Sequence, residues 1–192
     1  MTNEDDDALA PIRARTWTFG DKISTDLMMP GSRVLAGDLQ GRPAHHWCFE
    51  AIRPGWAEQV REGDVIVAGR NFGCGSGRDP SPLLRTLGIA AVVADSFARS
   101  FFRNAINSAL PVLICPGVRA VFHDGDLLFA DLETGLVRNE TRGVELRGEA
   151  LPAESPPMQI LRAGGFEPFI RAKLISRGQG LKTGPGRQSE AV

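Results

Sequence analysis

One stretch constrains this chain more than any other. From Val65 to Pro82 it reads Val-Ile-Val-Ala-Gly-Arg-Asn-Phe-Gly-Cys-Gly-Ser-Gly-Arg-Asp-Pro-Ser-Pro. The apolar opening has the length and character of a buried strand. The Asp/Ser-Pro ending is the signature of a helix start, with a capping side chain and a proline in the first turn. Between them Gly73, Gly75 and Gly77 occupy alternate positions. A backbone so rich in glycine turns sharply and lets a ligand come close. The pattern presents Ser76 and Arg78 at the positive end of a helix.

Two phosphate loops are excluded by spacing. The run lacks Gly-x-Gly-x-x-Gly, and no Lys-Ser/Thr follows as in a P-loop. Two readings remain open on the residues alone: a small-molecule anion site or a tight structural turn. In the first, helix-start amides and Arg78 hold a carboxylate or phosphate. Ser76 is then a hydrogen-bond donor, a nucleophile or a base. A serine hydroxyl is a poor base unless amides and positive charge stabilise its alkoxide, and this loop offers both.

Composition narrows the setting. The 192 residues suffice for one domain with a core, or one domain plus tails. A net charge of −1 gives no electrostatic case for nucleic acid or an anionic membrane. No apolar run approaches the roughly 20 residues of a membrane span. The acidic start, Glu4 to Asp7, is unlike a secretory signal, which predicts a cytoplasmic protein. Cys48, Cys74 and Cys115 are odd in number and widely spaced, without Cys-x-x-Cys, so neither disulfides nor a metal site in this chain is expected. Cys74 reads as a small packed residue rather than a nucleophile, because no histidine is near it in sequence. His45 and His46 are adjacent, which makes a poor metal pair on a helix.

Taken in order, residues 1–12 read as a disordered acidic tail, 13–175 as one domain, and 176–192 as a flexible tail. A strand is predicted over Arg15–Phe19. Ser24-Thr25-Asp26 reads as a turn-forming connector, with Asp26 capping the turn in its simplest reading. After the glycine loop comes a short helix ended by Gly88, then a buried strand over Ile89–Ala94. Ser96 is the expected N-cap of a helix with Phe97, Phe101, Ala105 and Ala109 as a core stripe, flanked by Phe102 and Ile106. Pro111–Pro116 is a third strand. Strand–loop–helix–strand–helix–strand implies parallel pairing. Residues 120–150 carry hairpin punctuation, and Met158–Leu174 is a helical stretch interrupted at Gly164-Gly165.

Gly69–Arg78, Gly88–Arg99 and Phe102-Arg103-Asn104 resemble the small subunit of 3-isopropylmalate dehydratase, an aconitase-like swivel domain. Phe19–Asp26 with Pro30, Asp131–Gly135 and Leu161–Gly165 extend the resemblance over residues 15–175 without a large gap. The resemblance implies an α/β fold: a swivelling β/β/α domain, with a mixed sheet whose parallel central strands are flanked by helices. It implies a separate aconitase-type large subunit carrying a 4Fe–4S cluster, with no cofactor on this chain. It also implies a small hydroxy dicarboxylic acid as substrate, such as 3-isopropylmalate or a related alkylmalate. By position, Ser76 becomes the base, acting as alkoxide, and Arg78 binds a substrate carboxylate.

This chain departs from the family's Ser-Ser-Arg-Glu-His at Gly77, Asp79 and Pro80. Gly77 stands where a second hydroxyl would contact substrate, and Pro80 stiffens the helix start. Arg33 lies in the loop that selects the substrate side chain in the family. These departures bear on the substrate more than on the reaction class. The rival expectations are a paralogue acting on another hydroxy acid and a non-catalytic swivel domain that binds a partner or an anion. RNA binding is disfavoured by the charge.

Overall fold

The computed structural model describes residues 9–29, 43–75 and 78–176. Of the tails expected over 1–12 and 176–192, residues 1–8 and 177–192 lie outside the described residues, as do the candidate site residues Arg33, Ser76 and Gly77, whereas Ile12 already belongs to a strand and Ser176 to a helix.

Seven strands form one sheet: β1 (Ile12–Phe19), β2 (Val65–Ala68), β3 (Ala91–Ala94), β4 (Val112–Ile114), β5 (Leu127–Asp131), β6 (Leu136–Asn139) and β7 (Val144–Arg147). Their spatial order is β4-β3-β2-β1-β5-β6-β7. β1 to β4 are parallel, whereas β1-β5, β5-β6 and β6-β7 are antiparallel. The expected mixed sheet with parallel central strands is thus present. β1 divides its length between the two halves. Ile12–Arg15 pair with Leu127–Ala130, and Thr16–Phe19 pair with Val65–Ala68. It begins three residues before the predicted Arg15, and Leu9 packs against the core ahead of it.

Alternation along the central strands supplies two cores. Ile66, Ala68, Val92, Ala94 and Val112 face one side, against Phe49, Trp56, Phe72, Leu84 and Phe101. Val65, Val67, Ala91, Val93 and Leu113 face the other, against Val118, Phe122, Leu128 and Val137. Strands buried on both faces read as unbroken apolar runs, which is why this half was legible.

The helices are α1 (Thr25–Met28), α2 (Ser81–Thr86), α3 (Arg99–Asn107), α4 (Val118–Val121), α5 (Pro156–Arg162) and α6 (Phe166–Ser176), with a 3-10 turn at Ala44–Trp47. Gly88 follows α2 with φ +100°, and Gly164 and Gly165 separate α5 from α6, both as expected.

Three expectations are corrected. Ser96 does not cap α3; the cap position is Ala98, with no side-chain bond, and the Ser96 hydroxyl accepts from the Asn71 N–H at 2.9 Å. The turn at α1 is capped by Ser24, whose Oγ accepts from the Leu27 N–H, and not by Asp26. The aromatic stripe packs against the core as expected but not as one helical stripe: Phe101, Ala105 and Ile106 are buried, while Phe97 and Phe102 are partly buried. α3 starts at Arg99, two residues after the stripe begins, so Phe97 is outside the helical period. The short helix α4, which runs into the start of the 120–150 hairpin stretch, was not predicted.

Candidate active site

The glycine loop leaves the C-terminal end of β2, between the ends of β1 and β3, where open α/β sheets place ligands. It is stitched to both neighbours. On the β1 side, the Gly73 N–H donates to the Ile23 carbonyl at 2.8 Å and the Thr25 N–H to the Cys74 carbonyl at 2.8 Å. On the β3 side, the Phe72 N–H donates to the Ser96 carbonyl at 3.0 Å and the Ala98 N–H to the Phe72 carbonyl at 2.9 Å. The strand order β1-β2-β3 therefore continues into the loop, through the bridges Ser24–Cys74 and Phe72–Phe97.

The glycines serve two different needs. Gly73 has φ +78°, and a Cβ there would lie 2.2 Å from Phe101 Cγ, so its role is to admit a ring of the core rather than a ligand. Gly75, with φ +93°, borders open space except for Thr25 Oγ1, 3.3 Å from where a Cβ would stand.

Beyond Gly75 the chain opens onto a cleft of about 260 Å³, lined by Thr25, Gly75, Arg78, Asp79, Ser100 and Asn104, with Phe101 as a wall. The volume suits a small organic acid. Arg78 Nη1 lies 3.5 Å from Asp26 Oδ1. Arg78 is 29% exposed and Asp26 69%, so the pair orients the guanidinium more than it stabilises the fold. Thr25 is almost fully buried, and its Oγ1 has no hydrogen-bond partner. Asp79 is committed elsewhere: Oδ1 accepts from the Ser81 N–H at 3.0 Å and Oδ2 from the Ser108 hydroxyl at 3.2 Å. The shorter carboxylate that departs from the family pattern thus fastens the loop to the end of α3. α2 begins only at Ser81 and is six residues long, so the helix-end electrostatics expected for the loop are weaker than the sequence suggested.

The cleft brings Arg78 together with Thr25, Ser100 and Asn104, and Arg78 pairs with Asp26 beside it; none of the four was a candidate site residue from sequence. The signal was present in the conspicuous polar residues of Ser24-Thr25-Asp26 and Phe102-Arg103-Asn104, but nothing in the spacing pairs the two tracts.

All three cysteines are free. Burial pushes Cys48 up to about 12, and burial with the charge of Asp95 pushes Cys115 up to about 11, so neither is a thiolate donor near neutrality. Among the described residues no group of three or more His, Cys, Asp or Glu side chains converges on a metal position. The His45 and His46 rings lie 4.7 Å apart, and burial followed by the His46 charge lowers the His45 pKa. Among the described residues no helix is long and apolar enough to cross a membrane.

Residues 54–115, which hold the loop and strands β2 to β4, match the aconitase C-terminal domain. The chain belongs to the family of 3-isopropylmalate dehydratase small subunits. It is 48% identical over 161 residues to 3-isopropylmalate dehydratase small subunit 1 of Methanopyrus kandleri, covering 83% of this chain and 92% of that one. It is 40% identical to the isopropylmalate/citramalate isomerase small subunit of Methanocaldococcus jannaschii, over 85% and 95% of the two chains. It is 44% identical to the methanogen homoaconitase small subunit of Methanothermobacter thermautotrophicus, over 81% and 88%. The crystal structure of 3-isopropylmalate dehydratase from Methanocaldococcus jannaschii superposes with a TM-score of 0.76 at 34% identity, covering 89% of this chain and 100% of that one.

Proposed function

We propose that this hydro-lyase small subunit supplies the base and one carboxylate clamp for dehydrating and isomerising 3-isopropylmalate or a related alkylmalate. The remainder of the active site belongs to an aconitase-type large subunit. The observation that carries the reading is the cleft. Gly75 and Arg78 both line it, and Ser76 stands between them in sequence. Arg78, oriented by Asp26, offers a fork of N–H donors that matches a carboxylate. Ser76, as alkoxide, takes the proton from the carbon next to the one bearing the hydroxyl. Gly77 is assigned to the substrate-binding segment beside it in sequence, and Arg33 to recognition of the substrate side chain.

A 4Fe–4S cluster is assigned to the large subunit, where it would polarise the substrate hydroxyl and carboxylate as a Lewis acid. Among the described residues no cysteines converge on a position for such a group, and Cys48 and Cys115 are buried and hold their protons.

The test is reconstitution with an aconitase-type large subunit. Ser76→Ala is expected to lower kcat by about 10²- to 10⁴-fold while the subunits still assemble. Near-normal turnover in the assembled variant removes the base assignment. Turnover by the isolated chain removes the partner.

A second reading, a paralogue serving another hydroxy acid, is favoured by the relatives. Subunits named for isopropylmalate, isopropylmalate/citramalate and homoaconitase activities lie within 40–48% identity of this chain. A substrate panel on the reconstituted pair separates the two. Assembly without turnover on any acid would leave a non-catalytic binding module.

A further inference from the structure

Helix α3 has two working sides. Ser100, Phe101 and Asn104 turn toward the cleft. Arg99, Phe102 and Arg103 turn toward a separate hollow of about 490 Å³, completed by Phe97 and by Ile114 at the end of β4. The hollow and the cleft therefore share one helix and open at the same end of the parallel strands.

The hollow combines partly buried aromatic rings with exposed cations. Phe97 and Phe102 keep a face in solvent, with ring centroids 6.0 Å apart. Phe97 is braced from behind by Phe101 at 5.8 Å and Phe72 at 6.1 Å, so its orientation is fixed before anything docks. Arg99 and Arg103 stand one helical turn apart, both exposed, and neither makes an ion pair among the described residues. Like charges at that spacing repel. Arg99 is also the first residue of α3, where the helix dipole disfavours a cation. Nothing in the described residues offsets either cost.

We propose that this hollow is a docking surface for the large subunit, and that its occupant is a segment carrying carboxylates beside an apolar side chain. The inference rests on the functional reading above, in which the large subunit closes the cleft from outside. A chain that does so passes over the neighbouring side of α3. Carboxylates there would satisfy two cations left without partners, and an apolar side chain would cover the two rings. Aromatic rings flanked by arginine are among the side chains enriched at protein interfaces.

The experiment measures the affinity of the full chain for the large subunit by calorimetry, with KM for 3-isopropylmalate taken at saturating large subunit. The double variant Arg99→Glu/Arg103→Glu is expected to weaken association at least about tenfold, and Phe102→Ser to weaken it as well. Arg99→Lys/Arg103→Lys should retain most of the affinity. KM of the assembled pairs should stay unchanged. Neither arginine makes an ion pair among the described residues, and a glutamate suits the start of α3, so charge reversal should not lower the urea midpoint of the isolated chain. Wild-type affinity in the charge-reversal variant overturns the surface assignment. Normal assembly with a raised KM also overturns it, by making the hollow a small-anion site. A wild-type chain that fails to bind any aconitase-type large subunit overturns the functional reading itself.

Discussion

Gly73 and Phe101 occupy adjoining space so closely that a single methyl at position 73 would fall 2.2 Å from Phe101 Cγ and 2.3 Å from its Cβ. The loop's path is therefore set by a ring on α3, the helix that also lines the cleft. Gly73→Ala combines a left-handed backbone with overpacking, and is expected to cost about 2–5 kcal/mol. Urea unfolding of the isolated chain measures the loss.

Arg78→Lys keeps the charge and removes the fork. In the reconstituted pair, KM is expected to rise by tenfold or more, since a point charge does not replace bidentate pairing. Asp26→Asn should also raise KM by releasing Arg78 from its orientation. It should shift stability by less than about 1 kcal/mol, because the pair is open to water. A large stability loss with unchanged KM would make Asp26 a structural residue instead.

Much of the fold was legible because β2 and β3 are buried on both faces, and so announce themselves as Val65–Ala68 and Ala91–Ala94 without a polar break. The site was less legible. Arg78 stood out in the glycine loop, but its partner Asp26 and the orphaned hydroxyl of Thr25 come from beyond β1, about fifty positions earlier, and only the sheet brings them together. Ser96 looked like a cap because the local pattern is correct for one. The Asn71 N–H claims its hydroxyl instead, a tertiary preference that no local pattern carries.

Acid should unfold this protein through two buried aspartates. Burial by itself would raise Asp64, but hydrogen bonds from Arg15, the Arg61 N–H and the Trp17 indole N–H hold it below the usual carboxylate range. Burial opposes the same outcome at Asp126, where Arg142, Asn139 and the His123 N–H prevail. A depressed folded pKa contributes stability above the unfolded value of about 3.9, and loses it as pH falls through the folded value. Stability should thus be level near neutrality and fall steeply below about pH 4. Asp64→Asn should cost about 3 kcal/mol at neutral pH and flatten that acid slope, as measured by urea midpoints across pH.

Thiol chemistry should be confined to one position. Cys48 and Cys115 are buried and held protonated, whereas Cys74 is partly exposed on the loop, with its Sγ 3.4 Å from the Lys22 carbonyl. Iodoacetamide on the isolated folded chain is expected to label Cys74 first, read by peptide mass spectrometry. The adduct should impair turnover after reconstitution, because it sits beside the cleft.

β1 is shared between the two halves of the sheet, with Arg15 and Thr16 as the changeover. It comes first in chain order among the described strands, yet its neighbours are residues 65–68 and 127–130. Neither half can close until long stretches of chain have followed. Contacts so distant in sequence slow folding through the entropy of closing large loops. β1 can therefore take its parallel partner early but must wait for residues 127–130 before its first half is paired, so the junction of the two halves is completed late.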